Sequence, residues 1–230
     1  MPGAPLPKSP LPLLLLLLSL TTGLVDAISI LGLGKVFTAN MTGNIVFLGF
    51  AAAGAPSFHP APYIVALAAF LAGAATAGRI GKAHAGGPLG RWLTLAALVE
   101  TGLLWIAAMV GIGFEANAPD ARLLAIVALT ALAMGFRNAT IRQLKVPDMT
   151  TTVLTLTLTG LAADSRLAGG GNPNWQRRIG GVAAIFAGAV IGALLVMRTG
   201  LTVPLLLAGA LVLIGTLACA RHLGAAQTLA

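Results

Sequence analysis

Residues 36–48, VFTANMTGNIVFL, decide the fold because they place two asparagines and two threonines inside an otherwise apolar run. In the hydrocarbon core of a membrane, each unsatisfied polar group costs several kcal/mol. The chain around this stretch is 57% hydrophobic and only 9% charged over its 230 residues, whereas an average soluble domain is about 25% charged. The composition therefore predicts an all-α polytopic membrane protein, in which these polar groups need a specific reason.

Six apolar runs are each long enough to cross a bilayer as a helix, which takes about 20 residues. They are 11–34, 61–82, 92–114, 121–142, 178–198 and 201–220. Two shorter segments, 36–54 and 148–164, begin with polar residues and continue as an apolar half. The apolar half 45–54 extends only about 15 Å as a helix, which predicts a broken or re-entrant segment. A fully spanning helix over 36–54 is the alternative. The whole chain, 1–230, is predicted to be one integral membrane domain.

The N-terminal apolar run has two interpretations. Lys8, the leucines of 13–18 and the triplet Val25-Asp26-Ala27 resemble a signal peptide with its cleavage site. The apolar run continues beyond Ala27 to Leu33, which favours a first spanning helix.

The two halves of the chain resemble each other at three places, in the same order. The matches are GLVDA (23–27) with GFRNA (135–139), TGN (42–44) with TLT (155–157), and AAFLAGA (68–74) with AAIFAGA (183–189). The separation grows slowly, from 112 to 115 residues. This pattern predicts two internal repeats, about 11–114 and about 121–220. Because each repeat holds three spans and one short segment, the repeats are predicted to be inverted in the membrane.

The basic residues predict the orientation of the chain. The net charge of +8 is distributed singly and in pairs between apolar runs, which indicates membrane loops and argues against a nucleic-acid partner. If neither short segment crosses the membrane, 11 of the 14 lysines and arginines fall on one side. Positive charge is enriched in cytoplasmic loops, so we expect both termini and Gly86 in the cytoplasm and Asn117 on the opposite side.

Two motifs resemble the signatures of the YoaK family of small bacterial membrane proteins. They are TTGLVDAISILGLGKVFTANMTGN at 21–44 and MGFRNATIRQLKVPDMTTTVLTLTLT at 134–159. At the end of the second motif this chain has Thr155-Leu156-Thr157, where the family pattern has a central glycine. The resemblance covers nearly the whole chain and implies a multi-span protein of the bacterial inner membrane. It implies no reaction, since the function of the family is unknown.

Asp26 is the only acidic residue of the first predicted span, and it lies about 22 Å along that span by helical rise. A charge at such a depth costs about 2.5–3.5 kcal/mol, so we expect Asp26 to face the bundle interior and to have a partner. Two interpretations stay open. One is a proton or cation site, and the other is a structural cap for the Gly32–Lys35 turn or the neighbouring polar loop.

The polar residues of the two short segments also have two interpretations. They line a cavity for a small polar solute, or they close hydrogen bonds between the two repeats. The density of the cluster favours the cavity, because polar contacts between membrane helices contribute only about 0.6 kcal/mol each. The predicted solute-binding residues are Asp26, Asn40, Thr42, Asn44, Asn138, Thr155 and Thr157.

Glu100 and Arg137 lie at similar depths in consecutive predicted spans, which predicts a structural ion pair. Two unrelated groups facing a cavity are the alternative. The patterns Gly188-x-x-x-Gly192 and Ala74-x-x-x-Gly78 indicate faces for close helix packing.

The sequence favours a small transporter or channel for a small polar solute or ion, because inverted repeats with matching polar breaks are typical of transporter folds. The alternative is a non-transporting scaffold or assembly partner whose polar clusters only lock the bundle. No enzyme is predicted, since the sequence has no Walker loop and no nucleophile–base motif. No cofactor or metal is expected either, because Cys219 is the only cysteine and the three histidines stand apart. The expected partners are the lipid bilayer and the solute or cation, and a homo-oligomer is left open.

Overall fold

Helices make up nearly all of the described chain. The computed structural model describes residues 10–114, 120–144, 154–172 and 174–223. Its helices are α1 (Leu11–Gly32), α2 (Met41–Ala52), α3 (Pro60–Ala83), α4 (Leu89–Val110), α5 (Ala121–Leu144), α6 (Leu154–Ala163), α7 (Trp175–Thr199) and α8 (Thr202–His222). A single 3₁₀ turn, Arg166–Ala168, follows α6.

Six of these helices, α1, α3, α4, α5, α7 and α8, are long and apolar enough to cross a membrane. Each agrees with a predicted span to within four residues at either end. The prediction of a polytopic all-α membrane protein is therefore confirmed. The two predicted short segments contain the short helices α2 and α6, although residues 148–153 of the second segment lie outside the described ranges. Helix α2 starts at Met41, four residues before the predicted helical half.

Helix α1 belongs to the core of the bundle. It runs unbroken from Leu11 through Ala27 to Gly32 and packs against α7 and α8. Its residues Leu24 and Val25 are fully buried. A helix that contributes this much of the core agrees with a first spanning segment.

Helices α1 and α7 pack closely through glycines. A side-chain carbon at Gly188 would overlap the carbonyl group of Leu20, and one at Gly192 would come within 2.8 Å of the Leu24 carbonyl oxygen. The absence of side chains at these positions allows the two backbones to approach. Because the contacts advance along both helices together, α1 and α7 run parallel.

Helices α3 and α5 pack in the same manner. A side-chain carbon at Gly73 would overlap the Leu132 carbonyl, and Gln143 Nε2 donates a hydrogen bond to the Ala77 carbonyl at 3.3 Å. These helices are therefore also parallel. The predicted packing face at Ala74-x-x-x-Gly78 is displaced by one residue, because Gly78 has open space beside it while Gly73 and Ala77 are buried.

The remaining neighbours are antiparallel. Thr101 Oγ1 of α4 donates to the Gly209 carbonyl of α8 at 3.0 Å, and Trp105 Nε1 donates to the Leu206 carbonyl at 3.2 Å. Helix α1 is antiparallel to α8, and α4 to α5, as indicated by the contacts Leu17–Gly215, Gly32–Leu201, Glu100–Arg137 and Val110–Arg122.

These directions determine how the short helices are placed. Helices α1, α4 and α7 share one direction, and α3, α5 and α8 have the other. The connection 33–59, which contains α2, therefore begins and ends at one end of the bundle, and the connection 145–174 begins and ends at the opposite end. Neither α2 nor α6 adds a complete crossing, so the alternative of a spanning helix over 36–54 is wrong. The main contacts of α2 and α6 are with α3 and α7, respectively, and not with each other.

Candidate functional site

The turn after α1 returns the chain into the bundle. Gly34 and Lys35 both have positive φ, 77° and 65°, which is the left-handed conformation that glycine adopts readily and lysine seldom. Thr38 is fully buried, and Asn40 Nδ2 donates a hydrogen bond to Asp26 Oδ2 at 2.6 Å. Because Asp26 lies six residues before the end of α1, the chain has descended about 9 Å along that helix by Asn40. The segment enters extended, and α2 then leads back out.

Asn44 explains how an extended segment can lie inside an apolar bundle. Its side chain is fully buried. Asn44 Oδ1 accepts a hydrogen bond from the Phe37 N–H at 2.9 Å, and Nδ2 donates to the Phe37 carbonyl at 2.6 Å. A lone extended segment in lipid has no neighbouring strand to satisfy its backbone groups. One asparagine therefore supplies both hydrogen bonds that a paired strand would have supplied to Phe37.

Two buried oxygen atoms of this cluster have no hydrogen-bond partner within the described residues. They are Asp26 Oδ1 and Thr38 Oγ1. Both belong to the region where the returning segment meets α1. Buried polar atoms are nearly always satisfied, and exceptions, which within the described ranges also include Trp92 Nε1 and Gln143 Oε1, are places for a bound water or ion, points of strain or functional groups.

Arg137 and Glu100 form an ion pair in the interior, with side chains only 1% and 5% exposed. Arg137 Nε donates to Glu100 Oε1 at 2.7 Å, and Nη2 donates to the same oxygen. Arg137 Nη1 donates to the Leu18 carbonyl at 3.2 Å and to Thr22 Oγ1 at 3.1 Å. Arg137 thus connects α5 to both α1 and α4. Sequence reasoning missed Thr22, although its position one turn before Asp26 on the same helix face was a usable signal.

The interior of the bundle has an uneven charge balance. Among the described residues there, two carboxyl groups, those of the buried Glu100 and the partly buried Asp26, accompany one buried guanidinium group, that of Arg137. All three nitrogens of this guanidinium donate to acceptors other than Asp26, although it interacts electrostatically with Asp26. A cavity of about 20 Å³ lies beside the ion pair, which is room for roughly one water molecule.

The other predicted solute-binding residues lie apart from Asp26. Thr42 and Thr155 are exposed on the short helices, and Thr157 is half-buried on α6. Asn138 Nδ2 donates to the Met134 carbonyl of its own helix at 2.9 Å. The structure therefore brings together Asp26, Asn40 and Asn44, and it does not place the threonines with them. Thr42 is apart because it lies on the exposed side of α2 while Asn44 lies on the buried side, and Thr155 and Thr157 are apart because α6 lies at the opposite end of the bundle.

A second polar cluster attaches α6 to α7, and the sequence analysis did not identify it. Arg178 Nη1 donates to Asp164 Oδ2 at 2.6 Å, to the Gly160 carbonyl at 2.7 Å and to Asn172 Oδ1 at 3.2 Å. Asp164 and Arg178 flank the glycine-rich break in the sequence, and their opposite charges were the available signal. The contacts connect two helices and indicate a structural role.

Comparison with known proteins identifies relatives but no activity. Residues 14–218 match the family described as "Protein of unknown function (DUF1275)". The chain is 36% identical over 155 residues to the UPF0700 transmembrane protein YoaK of Bacillus subtilis (strain 168). This alignment covers 66% of the chain and 65% of the relative, just under two thirds of the relative's length. No solved structure matches significantly.

Proposed function

Because the chain belongs to the DUF1275 family, whose function is unknown, we propose a function from its interior site: a small transporter or channel for a small polar solute or ion, with Asp26 as the group that binds a proton or cation. The family match and the similarity to YoaK confirm the resemblance that the two sequence motifs indicated.

One observation carries this proposal. Asp26 Oδ1 is buried without a hydrogen-bond partner among the described residues, and the nearby guanidinium of Arg137 is occupied by Glu100. A carboxylate without a direct ion-pair partner in a transmembrane helix is costly. A proton or small cation at Asp26 removes the surplus negative charge. Asp26 also lies where the extended segment meets α1, which is the kind of helix break at which transporters bind coupling ions.

We further infer that the two halves of the bundle are inverted repeats. An offset of 112 residues moves α1 onto α5, and an offset of 115 moves α3 onto α7. Applied to the close contacts between α1 and α7, these offsets reproduce the close contacts between α5 and α3: Gly23–Ile185 becomes Gly135–Phe70, and Leu20–Gly188 becomes Leu132–Gly73. Helices α1 and α5 run in opposite directions, as inverted repeats require. Such repeats, with a break at the repeat interface, support alternating access to a central site.

A scaffold role is the second candidate, and one observation favours it. The cavity beside the Glu100–Arg137 pair is only about 20 Å³, and Asn44 is fully engaged with the backbone of Phe37. In this interpretation the polar groups lock the bundle and nothing passes through it. The experiments below separate the two candidates.

We propose that the protein is oriented in the bacterial inner membrane with both termini in the cytoplasm, on the basis of its basic residues. Gly86 and Ser57 lie in connections at opposite ends of the bundle, and both are exposed. In a Cys219→Ala background, an impermeant thiol reagent added to intact cells should label Ser57→Cys and leave Gly86→Cys unlabelled until the cells are lysed. Labelling of Gly86→Cys alone in intact cells would reverse the orientation.

Asp26→Asn should abolish the coupling of solute movement to a proton or cation without unfolding the protein. Asparagine has the shape of aspartate and retains an acceptor for the Asn40 amide, while the surplus charge is removed. In liposomes with an entrapped pH dye, screened over small polar compounds, we expect wild-type protein to change the internal pH with at least one compound. Asp26→Asn should reduce that signal to the level of protein-free liposomes at equal incorporation.

Two comparisons make this result specific. Asn44→Ala should lower the folded yield, because the Phe37 backbone loses both of its hydrogen-bond partners. This variant shows what a folding defect looks like, whereas Asp26→Asn should lose flux at a normal folded yield. Infrared spectra should contain a protonated-carboxyl band that disappears in Asp26→Asn and persists in Asp164→Asn, a matched change at a half-exposed carboxylate. Normal flux through well-folded Asp26→Asn protein would refute the coupling role. The absence of flux with any compound in wild-type protein would favour the scaffold.

A further inference from the structure

A groove opens between the start of α4 and the end of α8, away from the interior site. Its volume is about 550 Å³. Arg91 of α4 and Arg221 of α8 stand on its two sides, and Leu95, Leu98 and Leu217 form apolar walls. The groove combines two cationic groups at one end of the bundle with an apolar surface that continues along the spans.

The two arginines have no counter-charge among the residues that the structure describes. Both side chains are exposed, and neither forms an ion pair within the described ranges. None of the described carboxylates lines the groove, and the only other side-chain donor there is Thr94. Two positive charges presented by neighbouring helices with no acid between them are complementary to an anionic ligand.

We propose that this groove binds the headgroup of an anionic phospholipid, with its acyl chains along the leucine walls. Arginine presents a planar fork of N–H donors that matches phosphate oxygens. Basic pockets between transmembrane helices on the cytoplasmic side are suited to anionic headgroups, and the proposed orientation places this end of α4 and α8 on that side. The apolar walls distinguish a lipid from free phosphate, which would contact the arginines alone. This site is independent of transport at Asp26.

The test compares lipids that differ in headgroup charge. Purified protein is titrated with phosphatidylglycerol, phosphatidylcholine or inorganic phosphate, and thermal unfolding and the lipids retained in native mass spectra are measured. We expect phosphatidylglycerol to raise the unfolding temperature and to be retained, whereas phosphatidylcholine and phosphate have little effect. At roughly fivefold in affinity per arginine–lipid contact, Arg91→Gln with Arg221→Gln together should weaken phosphatidylglycerol binding about thirtyfold.

The matched control uses two other exposed arginines at the same end of the bundle. Arg79→Gln with Arg142→Gln removes the same charge from the ends of α3 and α5 and should bind phosphatidylglycerol as wild type does. If the groove double variant fails to fold, Arg221→Gln alone, at the last turn of α8, should still weaken binding severalfold. Wild-type lipid binding in the groove variants, equal loss in the control, or equal stabilisation by inorganic phosphate would each overturn the proposal.

Discussion

Arg137→Met should destabilise the protein by about 3–5 kcal/mol, the usual cost of removing one partner from a buried ion pair. The change leaves the Glu100 carboxylate buried without its guanidinium. It also removes the donor to the Leu18 carbonyl and the Thr22 hydroxyl. Since typical folded proteins are stable by only about 5–15 kcal/mol, the change removes a large fraction of the stability, and the unfolding temperature and the folded yield should both fall. Size-exclusion chromatography and thermal unfolding in detergent measure the loss.

The double variant Glu100→Gln with Arg137→Met should recover much of that stability, because it removes both charges together. Asp164→Asn is the comparison at a more accessible pair, since Asp164 is 51% exposed beside Arg178, which is 10% exposed. We expect it to cost less than Arg137→Met, because water reaches one partner and exposed pairs contribute only about 0–1 kcal/mol. Wild-type stability of the single variant Arg137→Met would show that water reaches Glu100 and that the pair is not a buried one.

Gly188→Ala should also reduce the folded yield, by about 1–3 kcal/mol of stability. The added carbon would overlap the Leu20 carbonyl, which is backbone and cannot rotate away. Helices α1 and α7 would have to separate along their whole contact. Leucine at the same position should be worse, because it extends further into α1. Thermal unfolding of equal amounts of purified protein gives the comparison.

Gly181→Ala is the control on the same helix. A side-chain carbon there meets no atom within 4 Å, and alanine favours helix over glycine by about 1 kcal/mol, so stability should be unchanged or higher. If the two halves are structural repeats, Gly73→Ala should lower the stability as Gly188→Ala does, because Gly73 occupies the corresponding position against Leu132. Tolerance of Gly188→Ala would show that α1 and α7 are not in close contact.

Much of the fold is accessible from the sequence because membrane spans are specified by length and apolarity alone. The six spans follow from that rule, and the descent after α1 follows from Gly34 and the distance between Asp26 and Asn40. The Glu100–Arg137 pairing follows from depth, since equal helical rise places both groups at one level. In each of these cases the residue types and their spacing along a short stretch of sequence are enough to predict the structure.

The features that the sequence does not predict depend on which face of a helix packs against which neighbouring helix. Thr42 and Thr155 occur in short helices that are apolar nearly all round, so no periodicity indicates their exposed sides. The displacement of the packing face by one residue, from Ala74 and Gly78 to Gly73 and Ala77, has the same origin, because small residues are present on several faces of α3. The pairing of α1 with α7 joins residues more than 150 positions apart, and a single sequence does not specify such contacts.

The order in which the chain is made has a consequence for α1. Helix α1 leaves the ribosome before α5, which carries the Arg137 guanidinium that attracts Asp26, and before its principal packing partner α7. At about 5–20 residues per second, Arg137 is synthesised on the order of ten seconds after Asp26. During that interval the carboxyl group of Asp26 must be held by the insertion machinery, by lipid headgroups or by a proton. Biogenesis of this protein therefore includes an interval in which α1 is complete but the Arg137 guanidinium and the packing partner α7 have not yet been synthesised.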